Sequence, residues 1–306
     1  MNDLYLLSAF VCCIFVLVND TWRASSQKYL EATVQSHDQS RDNNSSTGIY
    51  DACRNVARLT RPESSSIAGF LAALIALRGG CASSVIVRVG ISMTLTTMAG
   101  FVIDDVHDIF QDQIAGVSTV LTDRRMSVLT ARMTAALLAA MALCISPGGA
   151  APGMIILLTF AALVLYARFA QLFPRLKCLY TALLVCVPLY YGSLVAGIRV
   201  QWVYYAVVAL FVCGRELYID CQQADGDAKS GLRTLAVTWS RPRTQACGTI
   251  AMLTAVGLLT ATASGTAARG VAILSLLATS LILGLPVFAL RRTALMRIVM
   301  ALLSVP

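Results

Sequence analysis

The stretches Asp104-Asp105-Val106-His107-Asp108-Ile109-Phe110-Gln111-Asp112 and Arg215-Glu216-Leu217-Tyr218-Ile219-Asp220-Cys221-Gln222-Gln223-Ala224-Asp225-Gly226-Asp227 decide the reading of this chain. The chain has 16 acidic residues in 306, and half of them fall in these two short runs. Each run closes a long apolar segment. Carboxylates at the end of a membrane helix are costly unless they are paired, solvated or holding cations. An oxygen-only donor set of this kind suits Mg²⁺, which favours carboxylate, water and phosphate oxygens.

The surrounding composition sets the class. The chain is 57% hydrophobic and 13% charged, with a mean hydropathy of +0.72. Spans of ~20 mostly apolar residues follow one another along it, so it is read as all-α, a polytopic membrane helix bundle. Apolar helical runs are expected at residues 65–77, 83–103, 127–145, 152–172, 179–196, 200–218, 244–263, 271–290 and 293–305. Glycine and proline mark the joints, at Gly79-Gly80, Pro147-Gly148-Gly149, Pro174, Gly197 and Pro242. Three regions are expected: an N-terminal hydrophobic segment over 1–19, which would add an extra helix, a polar and disordered tail over 20–56, and a membrane domain over 57–306. The ten cysteines are scattered, with no CxxC pair or Cys/His ligand spacing, so no zinc site or disulfide framework is indicated.

Charge supplies the orientation. Four crossings separate the two acid runs, so both return to one face. Loops on that face carry 17 of the 24 basic residues, and the opposite loops carry 4, namely Arg78, Arg88, Arg199 and Arg269. That bias places the acid face in the cytosol. The net charge of +8 is explained by this topology and gives no reason to invoke nucleic acid.

On a helix, Asp105, Asp108 and Asp112 stand at i, i+3 and i+7 and share a stripe, with Asp104 close beside Asp108. Asp220, Gln223 and Asp227 repeat the spacing, and Gly226 is a candidate stop for that helix. Two such stripes facing each other could hold divalent ions against one polyanion. The plainer alternative is a pair of solvated helix ends, but matched spacing on a shared face favours a site. Arg61, Lys177 and Arg215 are the expected clamp for a diphosphate, with Arg175 in the same loop as Lys177. Arg291, Arg292 and Arg297 read as headgroup anchors. Among the aromatics, Trp202, Tyr204 and Tyr205 read as a membrane belt, and Tyr218 is the best placed to face the site. His107 projects away from the stripe and reads as a helix-end polar residue. A cation transporter is disfavoured, because its acids should lie at mid-span.

These residues resemble the UbiA-type intramembrane prenyltransferase superfamily. Asp105, Asp108 and Asp112 match its first aspartate motif, and Asp220 and Asp227 its second. Leu59-x-Arg61-Pro62, Leu176-Lys177 and Gly231-Leu232-Arg233-Thr234-Leu235 match its flanking signatures. The resemblance covers residues 57–305. It implies about nine transmembrane helices around a lipid-facing cavity. It also implies an isoprenyl diphosphate substrate bound through Mg²⁺ by Asp104, Asp105, Asp108, Asp112, Asp220 and Asp227, and an aromatic or other small-molecule acceptor. Four departures stand out. Asp104 replaces the usual Asn and creates Asp-Asp-x-x-Asp, Gln223 replaces a middle acid, Ser118-Thr119-Val120 replaces a common Asp-Arg-Pro, and Phe173 stands where many members have Tyr. They point to a specialised terpenoid role, by prenyl transfer or by acceptor-free cyclisation.

Overall fold

The computed structural model describes residues 48–262. Nine α-helices follow one another: α1 Gly48–Thr60, α2 Pro62–Arg78, α3 Ser83–Ala115, α4 Val128–Ile145, α5 Ala150–Leu172, α6 Lys177–Ala196, α7 Trp202–Lys229, α8 Leu235–Trp239 and α9 Arg241–Thr262. A 3₁₀ turn, Pro174–Leu176, joins α5 to α6. The expected N-terminal segment and the last two expected spans, 271–290 and 293–305, lie outside the described residues.

Five helical stretches are long and apolar enough to cross a membrane: Ser83–Ala115, Val128–Ile145, Ala150–Leu172, Pro174–Ala196 and Trp202–Lys229. Their burial pattern says what surrounds them. On α4 the buried seam is Ala131, Ala135, Ala139 and Ala142. The outward stripe is Leu129, Met133, Leu137 and Met141. Large apolar groups outside and small ones inside suit lipid as solvent, where association depends on close backbone approach rather than on hiding oil from water. The same logic brings α6 onto α2. A Cβ added at Gly192 would lie 2.5 Å from the Ala72 carbonyl oxygen.

Helix α3 is the hub, packing against α1, α2, α4, α5, α6 and α7, while α7 lies between α6 and α9. Polar groups buried in this bundle are satisfied within it. Tyr191, fully buried on α6, shares hydrogen bonds of 2.8 Å with Ser92 of α3 and with Ser146 after α4. Arg88 donates to the carbonyls of Ile145 and Ser146 at 2.9 and 2.6 Å, closing the C-terminal end of α4.

Two expectations need correction and one is extended. Residues 48–56, read as part of a disordered tail, belong to α1. That helix is polar as a whole but gathers its apolar residues on one face, and it packs against α3. Its order therefore depends on tertiary contact, which a polar composition does not reveal. Helix α3 carries the apolar run over 83–103 on through the acid stripe, as the i, i+3, i+7 reading supposed, and extends to Ala115, where Gly116 in the left-handed region closes it. Helix α7 passes straight through Gly226 to Lys229. The glycine there permits a close approach, since its added Cβ would meet the Ala115 Cβ at 3.0 Å.

Candidate active site

That contact brings the C-terminal ends of α3 and α7 together, and with them both acid runs. The intervening crossings are α4, α5, α6 and α7, as the parity argument requires. Because α3 continues as helix through Asp112, Asp104, Asp105, Asp108 and Asp112 are set by helical spacing, and all four are half-buried. On α7, Asp220 is buried at 2% exposure and Asp227 is half-buried. Asp227 accepts a hydrogen bond of 3.2 Å from Thr234 Oγ1. Asp225 points away. It is fully exposed and pairs with Arg241.

Each expected clamp residue meets a carboxylate. Lys177, the first residue of α6, reaches Asp220 at 3.4 Å. Arg61 Nη2 lies 2.5 Å from Asp105 Oδ1, with its guanidinium 5.0 Å from the Phe101 ring centroid. Its backbone is left-handed, with φ 44°, at the joint between α1 and α2. Such a conformation is uncommon for a residue with a side chain, and here it aims Arg61 at α3. Arg215 Nη1 lies 2.7 Å from Glu216 Oε1. Asp104 and Glu216, from opposite helices, both lie within electrostatic reach of Lys177. Asp108 is within the same reach of Lys177. Lys177 thus interacts with both acid runs, by direct contact with Asp220 and electrostatically with Asp104 and Asp108.

Some residues take other places. Tyr218 shares a hydrogen bond of 2.5 Å with Thr249 and rests its ring on Gly248, so it faces α9 rather than the site. His107 is exposed, with Nδ1 2.8 Å from the Ile103 carbonyl oxygen, as expected of a helix-end polar residue. Arg125 pairs with Asp123 at 3.0 Å within its own loop. Arg291, Arg292 and Arg297 lie outside the described residues.

Two features were missed from sequence. Glu216, at 6% exposure, stands one turn before Asp220 and continues its stripe inward; the i, i+4 spacing was the available signal. Tyr166, Phe169, Phe173 and Tyr180 form a chain of tilted ring contacts from 4.7 to 5.5 Å. Tyr166 lies within electrostatic reach of Lys177. Tyr166, Phe169 and Phe173 share an i, i+3, i+7 stripe that was legible in the sequence, whereas Tyr180 joins them from the next helix.

The donor set suits Mg²⁺ in kind, since every acid in the two runs is a carboxylate. Among the described residues no three of these groups converge into a ready-made cage. Mg²⁺ does not require one, because it is commonly held by one or two carboxylates together with waters and substrate phosphates.

The family profile described as UbiA prenyltransferase matches residues 65–301, most of the chain. The chain belongs to the UbiA prenyltransferase family. It is 31% identical over 151 residues to a digeranylgeranylglyceryl phosphate synthase from Sulfolobus acidocaldarius, a match covering 47% of this chain and 54% of that protein. The chain therefore spans about half the length of the curated relative it matches. Among solved structures it is similar to a UbiA homologue from Archaeoglobus fulgidus bound to GPP and Mg²⁺, with TM-score 0.63 and 16% identity, covering 81% of this chain and 96% of that one. It is also similar to a UbiA homologue from Aeropyrum pernix K1, with TM-score 0.61 and 16% identity over 78% and 96%. A digeranylgeranylglyceryl phosphate synthase structure gives TM-score 0.57 and 20% identity over 82% and 95%. At these identities the structures establish the fold, and the family profile establishes membership of this enzyme family.

Proposed function

We propose that this UbiA-family protein ionises an isoprenyl diphosphate with the help of Mg²⁺ and transfers the prenyl group to an acceptor, in specialised terpenoid biosynthesis. The observation that carries the reading is that Lys177 interacts with both acid runs. It bonds Asp220 and lies within electrostatic reach of Asp104 and Asp108.

Asp104, Asp105, Asp108 and Asp112 from α3, with Asp220 and Asp227 from α7, would hold the metal. When bound, Mg²⁺ would neutralise charge on the leaving diphosphate, a contribution of several kcal/mol. Arg61, Lys177 and Arg215 already neutralise carboxylates and have N–H groups suited to phosphate oxygens. An arriving diphosphate can share them without an uncompensated charge being left in a half-buried site. The Tyr166 ring, within electrostatic reach of Lys177, presents a π face suited to a nearby carbocation. The acid end is assigned to the cytosol by the basic bias of its loops.

A second reading is acceptor-free cyclisation to a terpene. It is favoured by Asp104, which lies within electrostatic reach of Lys177 and Glu216 and completes an Asp-Asp-x-x-Asp run on α3. Purified protein incubated with Mg²⁺ and geranyl, farnesyl or geranylgeranyl diphosphate, each with and without aromatic or glyceryl phosphate acceptors, separates the two. Transfer predicts an acceptor-dependent prenylated product. A hydrocarbon or terpene alcohol formed without acceptor selects cyclisation, and no diphosphate release under any condition rejects both.

A further inference from the structure

Arg175 and Arg233 line a single open cavity of about 540 Å³ between the Pro174–Leu176 turn and the loop after α7. Both are exposed. Neither pairs with a carboxylate among the described residues, whereas Arg61, Lys177, Arg215 and Arg241 each do. Two guanidiniums lining one groove, with no carboxylate among the described residues paired to either, make it attractive to an anion. Their planar forks match phosphate oxygens. The same cavity is walled by Leu172, Phe173, Leu176 and Leu232. The first three are 73%, 51% and 45% exposed, a larger apolar display than a phosphate alone would need.

We propose that this groove binds the phosphate headgroup of an amphiphile, with Arg175 and Arg233 holding the phosphate and the leucines and Phe173 covering the first carbons of its chain. The groove adjoins the candidate active site at two points. Arg175 is two residues from Lys177, and Arg233 precedes Thr234, which bonds Asp227. Two sources share this chemistry, a phosphorylated acceptor awaiting prenylation and an anionic phospholipid of the bilayer. The acceptor role rests on the transfer reading above, but the binding itself does not.

The test uses the full chain purified in uncharged detergent, without Mg²⁺ or prenyl diphosphate. Native mass spectrometry follows titration with lysophosphatidic acid, phosphatidylglycerol and zwitterionic phosphatidylcholine. The wild type should retain one or both anionic amphiphiles in preference to phosphatidylcholine. The Arg175→Gln/Arg233→Gln pair should lose that retention by about tenfold or more. The Arg175→Lys/Arg233→Lys pair should keep part of it, because the charges remain while the forks are lost. If the glutamine pair does not fold, the single glutamine variants give the same readout. Preference for the phosphomonoester assigns the groove to an acceptor, and preference for phosphatidylglycerol assigns it to the bilayer. Equal retention of all three amphiphiles, or undiminished retention by the glutamine variants, overturns the proposal. Neither metal nor prenyl diphosphate enters the assay, so failure of the transfer reading would leave this result unchanged.

Discussion

Lys177 and Asp220 depend on each other in the folded protein. Asp220 is 2% exposed and the lysine side chain 21%, so removing either leaves a charge with little water to receive it. Breaking a buried pair costs about 3–5 kcal/mol, whereas replacing both partners is often nearly neutral. Lys177→Met and Asp220→Asn should therefore each lower the unfolding midpoint in detergent, and the double variant should recover much of the loss. Additive losses would mean that the contact is incidental. Activity should follow a different pattern. Asp105→Ala, Asp108→Ala and Asp220→Asn should each reduce Mg²⁺-dependent diphosphate release by roughly 100-fold or more, since several kcal/mol of barrier are involved. Full turnover in EDTA would remove the metal from the proposal.

At the scale of elements, the helices meet through small residues. Gly192 on α6 lies against α2, where an added Cβ would stand 2.5 Å from the Ala72 carbonyl oxygen and 2.9 Å from the Ile75 Cβ. Backbone cannot yield as a flexible side chain does. Gly192→Leu should cost about 1–3 kcal/mol by overpacking, read as a lower melting temperature in detergent. Gly153, on α5, is the control, because a Cβ there meets nothing within 4 Å. Gly153→Ala should be neutral or stabilising by up to about 1 kcal/mol, the usual helical difference between the two residues. Equal effects at the two positions would show that the α2–α6 contact does not govern stability.

For the whole molecule, orientation is the open consequence. In a cysteine-free background, single cysteines at the exposed positions Gln113 and Ala228 sit beside Asp112 and Asp227. A membrane-impermeant thiol reagent should label both from the cytosolic side. Labelling from opposite faces would dismantle the shared site, and joint labelling from the far face would reverse the orientation alone.

Much of this architecture was written in periodicity and charge. Apolar runs and glycine or proline joints marked the spans, the even number of crossings placed both acid runs on one face, and the i, i+3, i+7 spacing aligned Asp105, Asp108 and Asp112. Those features are local, or depend only on counting, so one dimension suffices for them. The sequence also carried the family resemblance in its motifs. Only the tertiary structure decided which carboxylate each cation meets. It set Lys177 against Asp220 across 43 positions and Arg61 against Asp105 across 44. It turned Tyr218 towards α9, carried α7 through Gly226 because that helix packs on Ala115, and stacked Tyr180 of α6 on Tyr166 and Phe169 of α5. Contacts of this kind depend on which faces of distant helices meet. Side-chain volume and close backbone packing determine that, and neither is visible in the spacing of a single segment.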